Sequence, residues 1–300
     1  WGKRVFCGRL VSDALYHGIW GSAASWDKFK PMLEAKGFDR VSAVSYKNDE
    51  AFTNTDTLLA VNGAIASGLK DLRDAHIAAR KVDVVAHSMG GLVMRAFCGQ
   101  GTKRENGKKV GGLDACRETV RKLITLDTPH QGSELADALL VYRDQRNKFP
   151  LRSLCRMRVS IFVDGSKKRG VDPHPIDKGG VDSLAVGGEL RGVLSGVTPP
   201  ATGAWNGLGW PDSPVTVHRV VGNAIDYQHE QIRSLWDEVL LPCGFERPSV
   251  FLGQGGDDGI VGVLSQMGGV SGRFFNEDHF SVLEDGEVVK EVEKLLDAEN

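Results

Sequence analysis

Short runs of apolar and β-branched residues recur along the chain, with helical patterns between them. Several runs are apolar at nearly every position, which is typical of parallel strands that are buried on both faces of a sheet. The predicted strands are Ala14–Tyr16, Val41–Tyr46, Val82–Ala86, Leu123–Leu126, Val215–Val221 and Ser249–Leu252. This alternation predicts an α/β fold in which helices flank a mostly parallel central sheet.

The helical patterns place apolar residues three or four positions apart. The clearest one follows a predicted N-cap at Thr55 or Asp56 and includes Leu58, Val61 and Ile65. Such a stripe is typical of a helix that packs on a sheet, and we assign it no role in function. Further helices are predicted over Met89–Phe97, Ile225–Leu240 and Gly286–Ala298.

Two stretches interrupt the alternation. Gly99–Gly112 is rich in Gly, Lys and Arg, and we interpret it as a solvated loop. Residues 134–214 show no clear alternation of strands and helices, and so long a loop without structure of its own is uncommon in a compact domain. We therefore expect residues 1–133 and 215–300 to form one core, with residues 134–214 inserted as a cap or lid.

The overall charge and hydropathy exclude several classes of protein. The chain has 37 basic and 39 acidic residues, so no basic face for nucleic acid is expected. No apolar run approaches the roughly 18 residues of a membrane-spanning helix, so no integral membrane segment is expected. The oligomeric state is left open.

The cysteines are odd in number and form no C-x-x-C pair. They are Cys7, Cys98, Cys116, Cys155 and Cys243. This pattern argues against a cysteine metal site and against a dense disulfide framework. Buried free thiols are the preferred interpretation, and a single disulfide is the alternative. Because no signal peptide is visible either, the compartment stays open.

Ser88 lies where a predicted buried strand meets a predicted helix, in the segment Ala-His-Ser-Met-Gly-Gly. A serine on such a sharp turn exposes its hydroxyl, and the residues two positions away must be small, as Ala86 and Gly90 are. The N-terminus of the helix then faces the group that the serine attacks and favours developing negative charge there. Ser88 is therefore the candidate nucleophile, and the alternative is a serine in an ordinary strand–helix turn.

This strand, segment and helix resemble the nucleophile elbow of α/β-hydrolases, especially bacterial lipases and esterases. The usual pattern is G-x-S-x-G, and here alanine takes the first position. The resemblance implies an α/β-hydrolase fold and a serine carboxylic-ester hydrolase that works through a Ser-His-Asp triad and an acyl-enzyme and needs no cofactor. Secreted lipases of this kind can carry structural calcium, but the sequence shows no carboxylate cage, so no metal is expected. The resemblance covers roughly residues 12–133 and 215–285 but not the insertion, and it slightly favours secretion.

The resemblance also implies two backbone amides for an oxyanion hole. One belongs to Met89, the residue after the nucleophile. The other belongs to Ile19, because Leu15–Ser22 resembles the His-Gly loop of lipases, in which the residue after the glycine donates its N–H. His17 in that loop is interpreted as a loop-stabilising residue rather than as a base.

His279 is the predicted base. It lies in Asn276–Phe280, a loop before the last predicted helix, which is where this family places its base. His87 is adjacent to the nucleophile and is expected to point elsewhere on the turn. His130 lies in a Thr-Pro-His segment that is structural in the lipases it resembles.

The predicted acid is Asp258. The segment Asp-Asp-Gly-Ile-Val at 257–261 resembles the Asn-Asp-Gly-Leu-Val segment of bacterial lipases, in which the aspartate before the glycine belongs to the triad. Asp257 stays an alternative, because two adjacent carboxylates cannot both face one imidazole. Asp127, which ends a predicted strand, is a third candidate.

The predicted substrate-binding residues are Trp20, Trp205, Leu208 and Trp210. Those in the insertion would suit an apolar inner face of a cap, which favours acyl or aromatic esters, whether small molecules, lipids or polymers. Two alternatives to hydrolysis remain open. The same residues could transfer an acyl group to an alcohol, or the fold could belong to a non-catalytic binding protein.

Overall fold

A central sheet of six parallel strands organises the molecule in the order β2-β1-β3-β6-β7-β8. The computed structural model describes residues 13–99, 101–104, 106–133, 135, 136, 139, 179–184, 215–224, 229–243, 256–268 and 271–298. The strands are β1 (Asp13–Tyr16), β2 (Val41–Val44), β3 (Val82–His87), β4 (Thr102–Lys103), β5 (Lys109–Val110), β6 (Val120–Leu126), β7 (Thr216–Gly222) and β8 (Arg273–Phe275). The predicted α/β fold with a mostly parallel sheet is confirmed.

Two strands differ from the prediction. The predicted strand Ser249–Leu252 lies outside the described residues. The edge strand β8 was missed, because its three residues are partly or fully exposed and therefore carry no run of buried apolar positions. The other predicted strands are present, with ends that differ by a few residues.

The helices of the described residues lie between the strands and after the last of them. They are α1 (Phe29–Glu34), α2 (Thr55–Asp74), α3 (Met89–Gly99), α4 (Leu113–Thr119), α5 (Gly179–Leu184), α6 (Glu230–Ser234), α7 (Val263–Met267) and α8 (Gly286–Asp297). None of them combines the length and the apolar character that crossing a membrane would need.

Two predicted helix boundaries were wrong. The N-cap of α2 is Asn54, whose side-chain oxygen accepts hydrogen bonds from the amides of Asp56 at 2.9 Å and Thr57 at 3.3 Å. This satisfies two amides of the first turn, so the cap lies before Thr55. Residues 225–228 of the predicted helix Ile225–Leu240 lie outside the described residues; His229 is not helical, and α6 begins at Glu230 and continues as a π-helical turn over Leu235–Leu240.

The core has two parts, one on each face of the sheet. Val84 and Ala86 of β3 pack with residues of α2 and α3 on one face. Val85, between them, packs on the other face with residues such as Phe29 of α1 and Val288 of α8. Since successive side chains of a strand point to opposite faces, a strand covered on both sides is apolar at most of its positions.

The Gly-, Lys- and Arg-rich stretch after α3 contains a short antiparallel hairpin of β4 and β5 rather than a plain loop.

A disulfide joins Cys98 and Cys116, which lie on α3 and α4 with their Cα atoms 5.1 Å apart. The preferred interpretation of these two cysteines as free thiols was therefore wrong. Their separation of 18 positions in the sequence hides this pairing from any local pattern.

Opening this disulfide is expected to destabilise the protein. Replacing Cys98 and Cys116 by alanine should lower the free energy of unfolding by about 3 kcal/mol, because the unfolded chain regains the freedom of the closed loop. Urea unfolding of wild type and double variant measures the difference, with and without a reductant. The reductant should affect only the wild type, and equal stabilities would contradict the prediction.

Candidate active site

Ser88 occupies the single position between the end of β3 and the start of α3. Its φ of 52° lies in the left-handed region that residues other than glycine rarely adopt, so the turn holds it under backbone strain. Its amide donates a hydrogen bond to the carbonyl of Leu126 on β6 at 2.9 Å. A Cβ at Gly90 would lie 2.5 Å from the carbonyl oxygen of Tyr16, which explains why this neighbour must be a glycine.

The structure brings Ser88, His279 and Asp258 into one hydrogen-bonded series. Nε2 of His279 lies 2.9 Å from Oγ of Ser88, and Nδ1 lies 2.7 Å from Oδ2 of Asp258. All three side chains are buried. With the ring proton on Nδ1 and shared with the carboxylate, Nε2 is free to accept the proton of the serine hydroxyl.

Asp258, and not Asp257, faces the imidazole. Oδ1 of Asp258 accepts the amides of Ile260 at 2.9 Å and Val261 at 2.7 Å, and Oδ2 also accepts from Nε2 of Gln266 at 3.1 Å. Asp257 instead accepts the amide of Gly259 at 2.7 Å within its own turn. Gln266 was not singled out in the sequence, since a lone glutamine carries no signal.

His87 is linked to the segment that carries His279. Nε2 of His87 donates to the backbone carbonyl of His279 at 2.8 Å, and the two ring centroids are 4.7 Å apart. Burial, assisted by His279, lowers the pKa of His87 well below its usual value, so this ring is neutral. Sequence reasoning missed the contact, because 192 positions separate the two residues.

The oxyanion-hole candidates flank the serine. Met89 is the first residue of α3, so its amide has no partner in a preceding turn. A Cβ at Gly18 would lie 2.7 Å from Cβ of Ser88, which shows that the loop carrying Ile19 passes directly over Ser88. Asn48 holds this loop, since its carbonyl accepts the amide of Trp20 at 2.7 Å.

His17 packs under the loop, away from any role as a base. Its ring stacks on that of Tyr46 with centroids 4.0 Å apart, and its Nδ1 donates to the carbonyl of Gly18 at 2.8 Å. The hydroxyl of Tyr46 donates to the carbonyl of His17. Burial lowers the pKa of His17, so it is a neutral ring. Tyr46 and Asn48, which hold the loop, were not recognised in the sequence.

His130 lies outside the hydrogen-bonded series of Ser88, His279 and Asp258. Its Nδ1 accepts a hydrogen bond from the guanidinium of Arg95, and its Nε2 lies 3.2 Å from Oγ1 of Thr125. Burial lowers its pKa well below the usual value.

His87, Asp127 and His279 offer atoms within 4.8 Å of one another, a separation that a metal ion could span. Both ring nitrogens of His279 are already bonded within the Ser-His-Asp series, so this cluster does not fit a metal.

An apolar pocket opens beside Ser88. Its walls include the aliphatic side chains of Leu135, Ala136, Leu139, Val181, Leu184 and Leu235. The predicted substrate contact Trp20 and the loop residue Ile19 also line it. The predicted contacts Trp205, Leu208 and Trp210 lie outside the described residues.

A family model described as "Putative serine esterase (DUF676)" matches residues 14–149. The matched part includes Ile19 and Ser88 and ends well before Asp258. No curated protein sequence matches the chain.

Two solved structures share the fold over nearly the whole chain. The mature form of the Bacillus licheniformis lipase BlEst2 aligns with a TM-score of 0.60 and 18% identity, over 95% of this chain and 91% of the lipase. Lipase 1 from Pelosinus fermentans aligns with a TM-score of 0.55 and 12% identity, over 97% and 99%. These similarities confirm the α/β-hydrolase fold that the residues around Ser88 had implied.

Proposed function

We propose that this chain, a member of the α/β-hydrolase superfamily, is a serine carboxylic-ester hydrolase. The observation that carries the proposal is the hydrogen-bonded series of Ser88, His279 and Asp258 at the edge of an apolar pocket. The matching family model, whose description names a serine esterase, points to the same reaction class.

In the proposed first step, Oγ of Ser88 attacks the ester carbonyl while Nε2 of His279 accepts the hydroxyl proton. Asp258 orients the ring and stabilises the imidazolium that forms. The carbonyl oxygen becomes an oxyanion, which accepts hydrogen bonds from the amides of Ile19 and Met89. Each such donor is worth about 2.7–4 kcal/mol of activation barrier.

Collapse of the tetrahedral intermediate breaks the bond to the alcohol, which leaves with the proton from His279. A water molecule then gives its proton to His279 and attacks the acyl-enzyme. The second intermediate expels Ser88, which recovers its proton, and the carboxylic acid is released.

The pocket supports esters with an apolar acyl group as substrates, because its described walls offer aliphatic side chains to that group. We also propose that residues 134–214 form a cap over the site. The described part of this insertion supports the proposal: the amide of Gly180 donates to the carbonyl of Asp49 at 2.9 Å, and the carbonyl of Leu184 accepts the amide of Ser133 at 2.8 Å.

Hydrolysis of p-nitrophenyl esters with acyl chains from acetate to palmitate tests the proposal. We expect release of one carboxylic acid for each nitrophenol, with a chain-length optimum. Addition of an alcohol separates hydrolysis from acyl transfer, since a transferase would form a new ester in place of the acid. A lack of turnover on the whole series would contradict the proposal.

Narrowing the pocket should change chain-length preference. Ala136 is a buried small residue of the pocket wall, so Ala136→Phe places a ring where an acyl chain would lie. We expect kcat/KM for the octanoate ester to fall roughly 10-fold, the scale of one or two lost apolar contacts. The acetate ester in the same variant is the control, and an equal loss for both esters would contradict the assignment of this wall.

A further inference from the structure

A second buried carboxyl lies beside the proposed triad. Asp127 follows β6, is fully buried and has a φ of 49°, in the left-handed region. Its Oδ1 accepts the amide of Gly222 at 2.6 Å, at the end of β7. One carboxyl oxygen of Asp127 lies within 4.8 Å of ring nitrogens of both His87 and His279. The proposed mechanism does not use this group, although its side chain lies within hydrogen-bonding reach of the carboxyl of Asp258.

The hydrogen-bond donors of the region are shared unequally between the two carboxyls. Asp258 accepts from His279, from Gln266 and from two backbone amides, a set that stabilises a carboxylate. Asp127 accepts a hydrogen bond from the amide of Gly222, and it shares this donor with Oε1 of Gln266, which lies 2.9 Å from the same nitrogen. Oδ2 of Asp127 is buried and accepts no hydrogen bond from a described residue. The donors of the region therefore favour a negative charge on Asp258 over one on Asp127.

We propose that Asp127 is a reserve acid for His279, able to take the place of Asp258 as the partner of Nδ1 when the Asp258 carboxylate is absent. The inference rests on the proposed function, because it concerns the same imidazole. Since a ring nitrogen of His279 lies within 4.8 Å of the Asp127 carboxyl, a hydrogen bond of about 2.8 Å requires a side-chain shift of no more than about 2 Å. In the shifted state Nδ1 donates to Asp127, and Nε2 still receives the proton of Ser88.

The charges around Asp127 decide when it can act. Burial, followed by the charge of Asp258, raises the pKa of Asp127 well above its usual value. The other titratable groups that face it are His87, His279 and Asp278. His87 is neutral, and Oδ2 of Asp278 is bonded to the amide of His229 at 2.7 Å. Removing the charge of Asp258 thus removes the largest electrostatic opposition to ionisation of Asp127.

Four proteins test the reserve acid: wild type, Asp258→Asn, Asp127→Asn and the double variant. Asparagine keeps the shape and retains an oxygen for the amides of Ile260 and Val261. We expect Asp258→Asn to lose no more than ~10²-fold in kcat. The double variant should lose ~10⁴-fold, the scale seen when a triad histidine has only an amide as its partner.

The pH profile gives a readout that a structural role would not move. Because burial, the largest cause of the raised pKa of Asp127, remains in Asp258→Asn, the Asp127 carboxylate of that variant still forms only as pH rises through a raised pKa. We therefore expect kcat/KM of Asp258→Asn to keep rising with pH well above the pH at which wild type levels off, and the double variant to lack this rise. This profile needs only the single variant, so it is informative even where the double variant folds poorly.

The outcomes separate the inference from the proposed function. Equal losses in Asp258→Asn and the double variant, or a pH profile of Asp258→Asn parallel to that of wild type, would overturn the reserve acid. A wild type without esterase activity, or one whose activity survives Ser88→Ala, would overturn the proposed function instead. Thermal unfolding of each variant shows that the comparison is made between folded proteins.

Discussion

Ser88→Ala is expected to lower kcat for ester hydrolysis by about 10⁶-fold, as removal of the nucleophile does in serine hydrolases with a complete triad. The physical reason is the loss of the covalent route. Oγ of Ser88 is the atom within 2.9 Å of Nε2 of His279, and alanine leaves that nitrogen with no hydroxyl to deprotonate. The amides of Ile19 and Met89 would remain, so a small residual rate over uncatalysed hydrolysis is expected.

The measurement compares kcat of wild type and Ser88→Ala on the best ester of the chain-length series. Ser42→Ala is a matched control, because Ser42 is an exposed serine on β2, and it should retain the wild-type rate. An active-site phosphonate should label wild type at one site and leave Ser88→Ala unlabelled. Undiminished turnover in Ser88→Ala would show that another residue carries the reaction.

Gly18→Ala is expected to lower kcat by about 10²–10³-fold without removing any proposed catalytic group. The new Cβ would lie 2.7 Å from Cβ and 3.0 Å from Oγ of Ser88, closer than side-chain atoms approach. Either Ser88 or the loop that carries Ile19 must move. Each movement displaces the nucleophile relative to an oxyanion donor, so the loss should appear in kcat more than in KM.

Gly63→Ala is the matched control for that substitution. Gly63 lies inside α2, and a Cβ there would meet no atom within 4 Å. Alanine within a helix is more stable than glycine by roughly 0.5–1 kcal/mol, so this variant should melt slightly higher and keep its activity. Equal kcat values for Gly18→Ala and wild type would contradict the placement of the loop over Ser88.

The alternation of buried strands with helices predicted the parallel sheet, because both patterns are local. A strand covered on two faces is apolar at most positions, as β3 is apart from Asp83 and His87, and an amphipathic helix repeats every three or four residues, as α2 does. The short edge strand β8 and the hairpin of β4 and β5 escaped prediction. Their few residues are mostly exposed, so they leave no periodic signal.

The residues of the candidate site likewise fall into those that local sequence patterns predict and those that they do not. Ser88 was predictable because its turn demands small neighbours within two positions, and His279 and Asp258 because short segments resemble those of known lipases. Asn48 and Gln266 were not predictable. Each acts through contacts with residues distant in the chain, and neither stands in a recognisable motif.

The sequence by itself determined the fold class, the nucleophile turn and the chain order of the candidate residues, since these depend on local periodicity and sterics. The tertiary structure alone decided which carboxyl of the Asp-Asp pair reaches His279 and which two cysteines meet. It also decided that Asp127 lies buried beside the Ser88, His279 and Asp258 series. The two cysteines meet because α3 and α4 pack together. Asp127 and Ser88 meet because the carboxyl ends of the parallel strands β6 and β3 lie at one edge of the sheet, which brings together side chains far apart in sequence.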